Sequence, residues 1–528
     1  MGKIANLMDT GIAGLTDALA FRHHPGLKDG SIKGVVQPER QPSLPSFIFG
    51  EKQNRSYFFI AFVGALLQFI FFKFLYPLPD FISDSYSYID TNLYHMDVNL
   101  WPIGYSKFLW LAHLITPSHT FLIFIQYIIL EISLIYFFYS ILFLYPLSRT
   151  LTTILFVFLF FNPIFLYLSN CVLSDAIFCA LSIILFTEYL WMYKRFKTYY
   201  IYSSAILIGI LFTLRYTAIY YPFVGAIAFL LSKQVAWKKL LGIVLPWMLI
   251  IPFIYYTQQK TKQITGTPEF SVFGGWQLAN NALYMYDHIK VDTNKLPAGT
   301  LELDRTARQF FHDYPPENRR VDVIAGTYFI KVPVAILKPY MKARYPITHD
   351  AQSQFKAWGM VSPVYNKYGA YLIKHYPLAF AKYYLWLNTQ NYFIPHLEKF
   401  SNYNLGKDSL GSSPTIWFQL KDSSVDLGAA PDLQNHIFYF YPVIFMMLNL
   451  YFAVNLLFMF FGHKLKSIGQ PLYSGLLLTA SFLFINFCFS VFATPVVLRY
   501  QVFPMILLLT FSLILFDRSG KAETVSIN

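Results

Sequence analysis

Residues 120–145 read TFLIFIQYIILEISLIYFFYSILFLY, an apolar run that contains a single charged residue, Glu131. A run of about 17 to 25 mostly apolar residues is long enough for a helix to cross a lipid bilayer. The whole chain shares this character, since 55% of its 528 residues are hydrophobic, 13% are charged, and the mean hydropathy is +0.43. These values lie outside the range of soluble globular domains. The sequence therefore predicts an all-α polytopic membrane protein.

Further apolar runs predict about ten or more transmembrane helices in total. The ten runs are Tyr57–Tyr76, Thr120–Tyr145, Leu151–Leu168, Val172–Tyr193, Tyr200–Leu214, Ala218–Leu231, Leu240–Tyr256, Ile437–Phe461, Leu472–Phe492 and Val496–Phe516. The connection between the seventh and eighth runs, residues 257–436, is far longer than an ordinary loop, so we expect a folded module there. Within it, residues 371–392 are amphipathic and aromatic, which is typical of a helix on the membrane surface. A membrane-spanning helix is the alternative for this stretch.

Lysine and arginine side chains concentrate in alternate short connections, and cytoplasmic loops retain such cations. The connections hold Arg149, Lys194, Arg195, Lys197, Lys233, Lys238, Lys239, Lys464 and Lys466, and Arg518 and Lys521 follow the last run. This pattern predicts a cytoplasmic N-terminal segment (1–56), a helical bundle (57–256) with a first outer loop (77–119), an extracytoplasmic module (257–436), C-terminal transmembrane helices (437–516) and a cytoplasmic tail (517–528). We expect a multi-pass protein of a bacterial inner membrane with both termini in the cytoplasm.

The same argument accounts for the net charge of +13. In a membrane protein such an excess of cations reflects the cytoplasmic loops, so we expect the lipid bilayer as a partner and no nucleic acid. The histidines His95, His113 and His119 lack the spacing of a metal site, and no zinc site is predicted. Whether a divalent metal takes part is left open.

Four charged residues fall where predicted spans meet the outer face. Asp84 follows the first span, Asp175 begins the fourth, Arg215 ends the fifth and Arg499 opens the last, beside Tyr500. A carboxylate within a span usually faces a polar cavity or a partner, and an outward-facing arginine suits a phosphate or carboxylate. The alternatives are an N-cap or a solvated loop charge for Asp84, a favourable helix N-terminus for Asp175, and arginines that reach toward lipid phosphates.

Acids and arginines at one membrane level suit a substrate with a charged head at the interface and a tail in lipid. A polyprenyl-phosphate-linked sugar fits this description. Its transfer needs a carboxylate that takes the proton from the acceptor hydroxyl and a cation that stabilises the departing phosphate. The acceptor, whether glycan, glycolipid or protein, is not indicated by the sequence.

Several short motifs resemble those of the C-type membrane glycosyltransferases, a superfamily that includes protein O-mannosyltransferases and lipid A aminoarabinose transferases. They are SDSYSYI (83–89), WPIGYSKFL (101–109), NPIFLYLSNCVLSDAIF (162–178), HYP (375–377) and PVVLRY (495–500). The resemblance implies a lipid-linked sugar donor with Asp84 as catalytic base, Asp175 as a second acid, and Arg499, Arg215 and Tyr500 at the donor phosphate. One departure is Ser85, since many members carry adjacent acids in the first loop.

Two other functions compete with this one. A glycan polymerase or ligase would use arginines of the large outer module and would not need Asp84. A transporter or flippase would need a charged path through the bilayer centre, for which Glu131 is the candidate. Within the module, the segment Gly274–Gln277 with Asn280 and Asn281 suits sugar binding, and a structural turn followed by a helix is the alternative.

Overall fold

The computed structural model describes residues 43–319, 326–345, 347, 350–428, 430–462, 468–493 and 495–526. These residues form helices joined by short connections, and three isolated β-bridges occur without any β-strand in the described part of the chain. The prediction of an all-α protein is thereby confirmed. Most of the predicted N-terminal segment, residues 1–42, and the last two residues of the predicted tail lie outside the described residues.

Eight of the described helices are long and apolar enough to cross a membrane. They are Lys52–Leu75, His119–Leu144, Arg149–Asn170, Asp175–Lys194, Ala236–Thr265, Asp432–Phe461, Gln470–Ala493 and Leu498–Ser519. The other two predicted spans form the shorter apolar helices Tyr199–Leu214 and Tyr216–Leu231. Sixteen residues of α-helix rise only about 24 Å, less than a hydrocarbon core of about 30 Å. The chain is thus a multi-pass membrane protein, and its described residues form eight membrane-length helices and two shorter apolar helices.

The helices differ in the fraction of their surface that is exposed, and this fraction reflects the place of each helix in the bundle. Lys52–Leu75 presents Phe62, Phe71 and Phe74 outward, with Phe74 88% exposed. The last helix, Leu498–Ser519, is almost entirely enclosed by its neighbours. Exposed apolar rings are expected where the surrounding solvent is lipid, because lipid tails carry no penalty for contact with them.

Shorter helices lie between the membrane-length ones. The first loop holds Ser83–Leu93 and Gly104–Ile115. Leu44–Gly50 precedes the first membrane-length helix, and Arg149–Asn170 consists of Arg149–Phe160 and Ile164–Asn170. Residues 257–436 hold Phe273–Leu283, Leu301–Asp313, Tyr328–Lys331, Leu337–Arg344, Ala351–His375, Pro377–Phe380, Trp386–Phe393, Ser412–Trp417 and the start of Ala430–Phe438.

Two boundaries within residues 257–436 differ from the prediction. The helix Ala236–Thr265 runs past Tyr256 without a break and ends at Gly266, whose left-handed φ of +82° suits a helix C-terminus. The predicted surface helix 371–392 is divided, because Ala351–His375 ends before Pro377. Proline disfavours helical geometry in the residue before it, here Tyr376, and readily begins the next helix. That helical stretch then continues to Phe393 through a π-helical turn.

Two helices of residues 257–436 pack against each other through glycines. A side chain at Gly275 of Phe273–Leu283 would clash with the carbonyl oxygen of Ser362 on Ala351–His375, and one at Gly369 would meet the backbone at Leu278. Trp276 is fully buried in this interface and donates its indole N–H to the carbonyl oxygen of Trp358 at 3.1 Å. Trp276 therefore has the structural role that the turn-and-helix interpretation of Gly274–Gln277 predicts.

We expect Gly275→Ala to destabilise the protein by about 1–3 kcal/mol, because the added methyl group overpacks this interface. The matched control is Gly274→Ala, since the same methyl group there meets nothing within 4 Å. Thermal unfolding in detergent measures both variants. Equal unfolding midpoints for the two would contradict the close approach of these helices.

Candidate functional site

A buried arginine lies at the centre of the charged residues. Arg499 occupies a 3-10 turn, Leu498–Gln501, at the start of the last membrane-length helix, and is 7% exposed. Its Nη1 donates to Asp175 Oδ2 at 2.9 Å, its Nη2 lies 3.7 Å from Asp84 Oδ2, and its Nε lies 3.4 Å from Glu398 Oε2. One guanidinium thus faces three carboxylates from distant parts of the chain. We call these four residues together with Arg215 the charge cluster.

Asp175 is held between two arginines. It begins the helix Asp175–Lys194, and Arg215 caps the end of the helix Tyr199–Leu214, so the two helix ends meet. Arg215 pairs with Asp175 Oδ1 while Arg499 binds Oδ2. With a side chain only 4% exposed, Asp175 has both oxygens engaged. The predicted favourable position at a helix N-terminus also applies, and it does not compete with the ion pairs.

Asp84 is the more open carboxylate of the cluster. It lies in the first turn of Ser83–Leu93 with its side chain 23% exposed, and Ser83 Oγ donates to its Oδ1 at 3.3 Å. Its predicted alternative as an N-cap is wrong, because Ile82 caps this helix and the Ile82 N–H donates to Ser85 Oγ. The Ser85 side chain therefore caps the start of this helix.

Glu398 completes the charge cluster, and no sequence pattern predicted it as a site residue. The segment around it runs beside the start of the last helix, since Leu498 N–H donates to the carbonyl oxygen of His396 at 2.9 Å. Lys331 Nζ donates to Glu398 Oε1 at 2.5 Å, and Lys399 lies 4.0 Å from the same oxygen. Burial alone would raise the pKa of Glu398, but Arg499, Lys331 and Lys399 together lower it to about 2. Glu398 is therefore an anion at every physiological pH.

The ring of Tyr500 contacts both arginines. The guanidinium carbons of Arg215 and Arg499 lie 4.2 Å and 4.5 Å from its ring centroid. A tyrosine face attracts cations, so this ring helps to hold two like charges close together. The structure thus brings all five residues predicted from the sequence to one place.

The charge cluster opens into a cavity of about 1200 Å³. Its aromatic wall includes Phe178, Phe482, Phe489 and Phe503, which belong to three membrane-length helices. A second side carries cations from residues 257–436, which are Lys331, Lys338, Lys342 and Lys399. The cavity therefore joins an apolar region between membrane helices to a region of positive charge.

Asp80 connects three segments that carry the cluster. Its backbone pairs with Asn170 and Val172 around the bridge to Cys171, and its Oδ1 accepts from the N–H of Asn404 at 3.1 Å. Asp80 is only 3% exposed, so this loop carboxylate is buried. Burial raises its pKa to about 7, although the Asn404 N–H and the neighbouring cations oppose the shift.

The described residues contain no group of three or more histidine, cysteine or acidic side chains placed to hold a metal ion. Comparisons with protein-family models, with curated proteins and with solved structures found no match to this chain. The function is therefore argued from the geometry and charge of the site.

We expect Asp80→Asn to change how stability depends on pH. The folded-state pKa of Asp80, about 7, lies above the ordinary 3.8, so its contribution to stability is complete below about pH 4 and is lost as pH rises through 7. Asparagine keeps the acceptor for Asn404 and does not ionise. The variant should gain up to about 4 kcal/mol relative to wild type between pH 4 and 8. Thermal unfolding of both proteins across this range measures the difference, and parallel pH profiles would contradict the assignment.

Proposed function

We propose that this protein is a membrane glycosyltransferase that moves a sugar from a polyprenyl-phosphate donor to a hydroxyl group at the extracytoplasmic face. The observation that carries the proposal is the cavity, in which the partly exposed Asp84 lies 3.7 Å from the buried Arg499. A base for the acceptor hydroxyl and a cation for the phosphate are thereby adjacent. The acceptor is a glycan, a glycolipid or a protein.

The aromatic wall of the cavity supports a lipid-linked donor. Phe482 and Phe489 lie on the helix Gln470–Ala493, and Phe503 lies on the last helix, one turn after Arg499. A polyprenyl chain that entered between these helices would meet apolar rings along its length, while its phosphate remained at the level of the arginine. Burial of each methylene group contributes about 0.8 kcal/mol, so a long chain binds well to such a wall.

The charges around Arg499 fit the charges of the reaction. The ion-pair network around Arg499 joins four cations to three carboxylates, a net charge of +1; its members are Arg215, Lys331, Lys399 and Arg499 with Asp84, Asp175 and Glu398. A sugar-linked polyprenyl phosphate is a phosphodiester with one negative charge, which matches the net charge of this network. During transfer the acceptor oxygen forms the new glycosidic bond and its proton passes to Asp84. The bond from the sugar to the phosphate oxygen breaks, and the polyprenyl phosphate gains the second negative charge that the protonated site now balances.

The two aspartates take different roles in this proposal. Both oxygens of Asp175 accept hydrogen bonds from arginines, so it orients Arg215 and Arg499 and is not free to take a proton. Asp84 has a side of its carboxylate open to the cavity and therefore acts as the base.

Competing functions receive less support from the contacts. Among the described arginines of residues 257–436, Arg308, Arg319 and Arg344 pair with carboxylates, and none lines the cavity, which disfavours a polymerase that depends on them. Glu131, the acid that a transporter would need, lies against Tyr127 inside the bundle and away from the cavity lining.

We expect Asp84→Asn to lower the rate of sugar transfer by about 10²–10⁴-fold, because the amide cannot accept the acceptor proton. The matched control is Asp90→Asn, on the same helix but outside the cavity, which should retain most activity. The assay follows transfer from polyprenyl phosphates that carry labelled sugars in membranes of the overproducing cell. Full activity of Asp84→Asn would rule out this mechanism.

Arg499→Lys should weaken donor binding as well as turnover. A lysine has one point of charge and cannot face three carboxylates at once, so at least one carboxylate loses a charged hydrogen-bond partner at a cost of about 1–3 kcal/mol. We expect a raised KM for the donor and a lower unfolding temperature. Arg149→Lys, an exposed arginine on another helix, is the control. An unchanged donor KM in a folded Arg499→Lys protein would exclude contact with the phosphate.

A further inference from the structure

Part of the cavity lining consists of aromatic rings in contact with one another. Trp101, Phe273 and Trp358 form this part, with ring centroids 5.0 Å apart for the first pair and 6.2 Å apart for the second. Behind them the buried Trp276 stacks on Trp358 at 3.9 Å. Trp276 is fully buried and donates to the Trp358 carbonyl oxygen, so it supports the ring of Trp358, which is 8% exposed. We call Trp101, Phe273 and Trp358 the aromatic platform.

Beside the aromatic platform lies a carboxylate without a cation. Glu269 lines the cavity and accepts a hydrogen bond from Ser362 Oγ at 3.0 Å, and Ser362 lies one helical turn from Trp358. No described lysine or arginine pairs with Glu269, in contrast to the three acids of the charge cluster. Gln277, one turn from Phe273, also lines the cavity. The platform is thus bordered by a strong acceptor and by an amide that both donates and accepts.

We infer that the aromatic platform with Glu269 and Gln277 binds a pyranose ring of the substrate. One face of a pyranose presents C–H groups that pack on an aromatic face, and its edge presents hydroxyl groups that donate to a carboxylate. A rigid apolar surface with few polar groups at its border is what such a ring requires. The inference rests on the proposed function, and it assigns a binding site to a substrate sugar.

The aromatic platform is linked to the proposed base. Asn99, two residues before Trp101, donates its Nδ2 to the carbonyl oxygen of Ser87 at 2.9 Å and to Thr91 Oγ1 at 3.0 Å. Ser87 and Thr91 belong to the helix whose first turn carries Asp84. The segment that carries Trp101 is therefore hydrogen-bonded to the helix that carries Asp84. This link favours the acceptor as the source of the ring, and the sugar of the donor is the other source.

Saturation-transfer difference NMR tests this inference with methyl glycosides of glucose, mannose, galactose and N-acetylglucosamine added to the detergent-solubilised protein. We expect saturation transfer to the ring C–H protons of at least one glycoside. Trp101→Ala should weaken that binding by about tenfold, and Glu269→Gln should weaken it while leaving the fold intact. Trp101→Phe should restore most of the binding. Trp386→Ala, an exposed tryptophan outside the cavity, is the matched control.

Binding that is absent for all four glycosides, or equal in Trp101→Ala, Trp386→Ala and wild type, would overturn the inference. A repeat with bound polyprenyl-phosphate sugar separates the two sources: binding that persists assigns the ring to the acceptor, and binding that is displaced assigns it to the donor, each in support of the platform. A separate measurement tests the proposed function, which fails if the protein binds the donor but releases no polyprenyl phosphate from it. Donor turnover without any platform effect would refute this inference alone.

Discussion

The charge of Arg499 is the constraint on which the site depends. A guanidinium that is 7% exposed cannot remain without anionic partners, because the transfer of an unpaired charge out of water costs several kcal/mol. Asp175, Asp84 and Glu398 supply them from the start of one helix, from the first loop and from the segment before the last three long helices. Neutralising this one group therefore brings together parts of the chain that are hundreds of residues apart.

The connections around the charge cluster are built to hold this arrangement. Asp80 ties the first loop to the residues before Asp175 and to Asn404. Asn404, Leu405 and Gly406 all have left-handed φ values, a run that non-glycine residues rarely adopt and that needs support from neighbours. The Asn404 N–H finds its acceptor in Asp80, so the two segments stabilise each other. The carboxylates that face Arg499 are thus placed by backbone pairing as well as by charge.

Sequence patterns located most of this site and little of its surroundings. Hydropathy and the placement of cations were enough to put Asp84, Asp175, Arg215 and Arg499 at one level, because each lies at the edge of an apolar run. Glu398 was missed because its contact with Arg499 depends on a long-range pairing between His396 and Val497, which leaves no periodic pattern. Pro377 ends the preceding helix through a local steric effect, which the amphipathic pattern of residues 371–392 does not register.

The fate of individual aromatic residues could not be deduced in the same way. Trp276 stood out as a sugar-binding candidate, yet it is fully buried, while Trp101 and Trp358 line the cavity. Whether a tryptophan faces a cavity or a helix interface is decided by tertiary packing, here by the close approach at Gly275.

The most direct measurement of the central claim is an experimental structure with polyprenyl phosphate bound. The account predicts the phosphate within about 4 Å of the Arg499 guanidinium, with the chain along Phe482 and Phe503. A phosphate bound outside this cavity would contradict it.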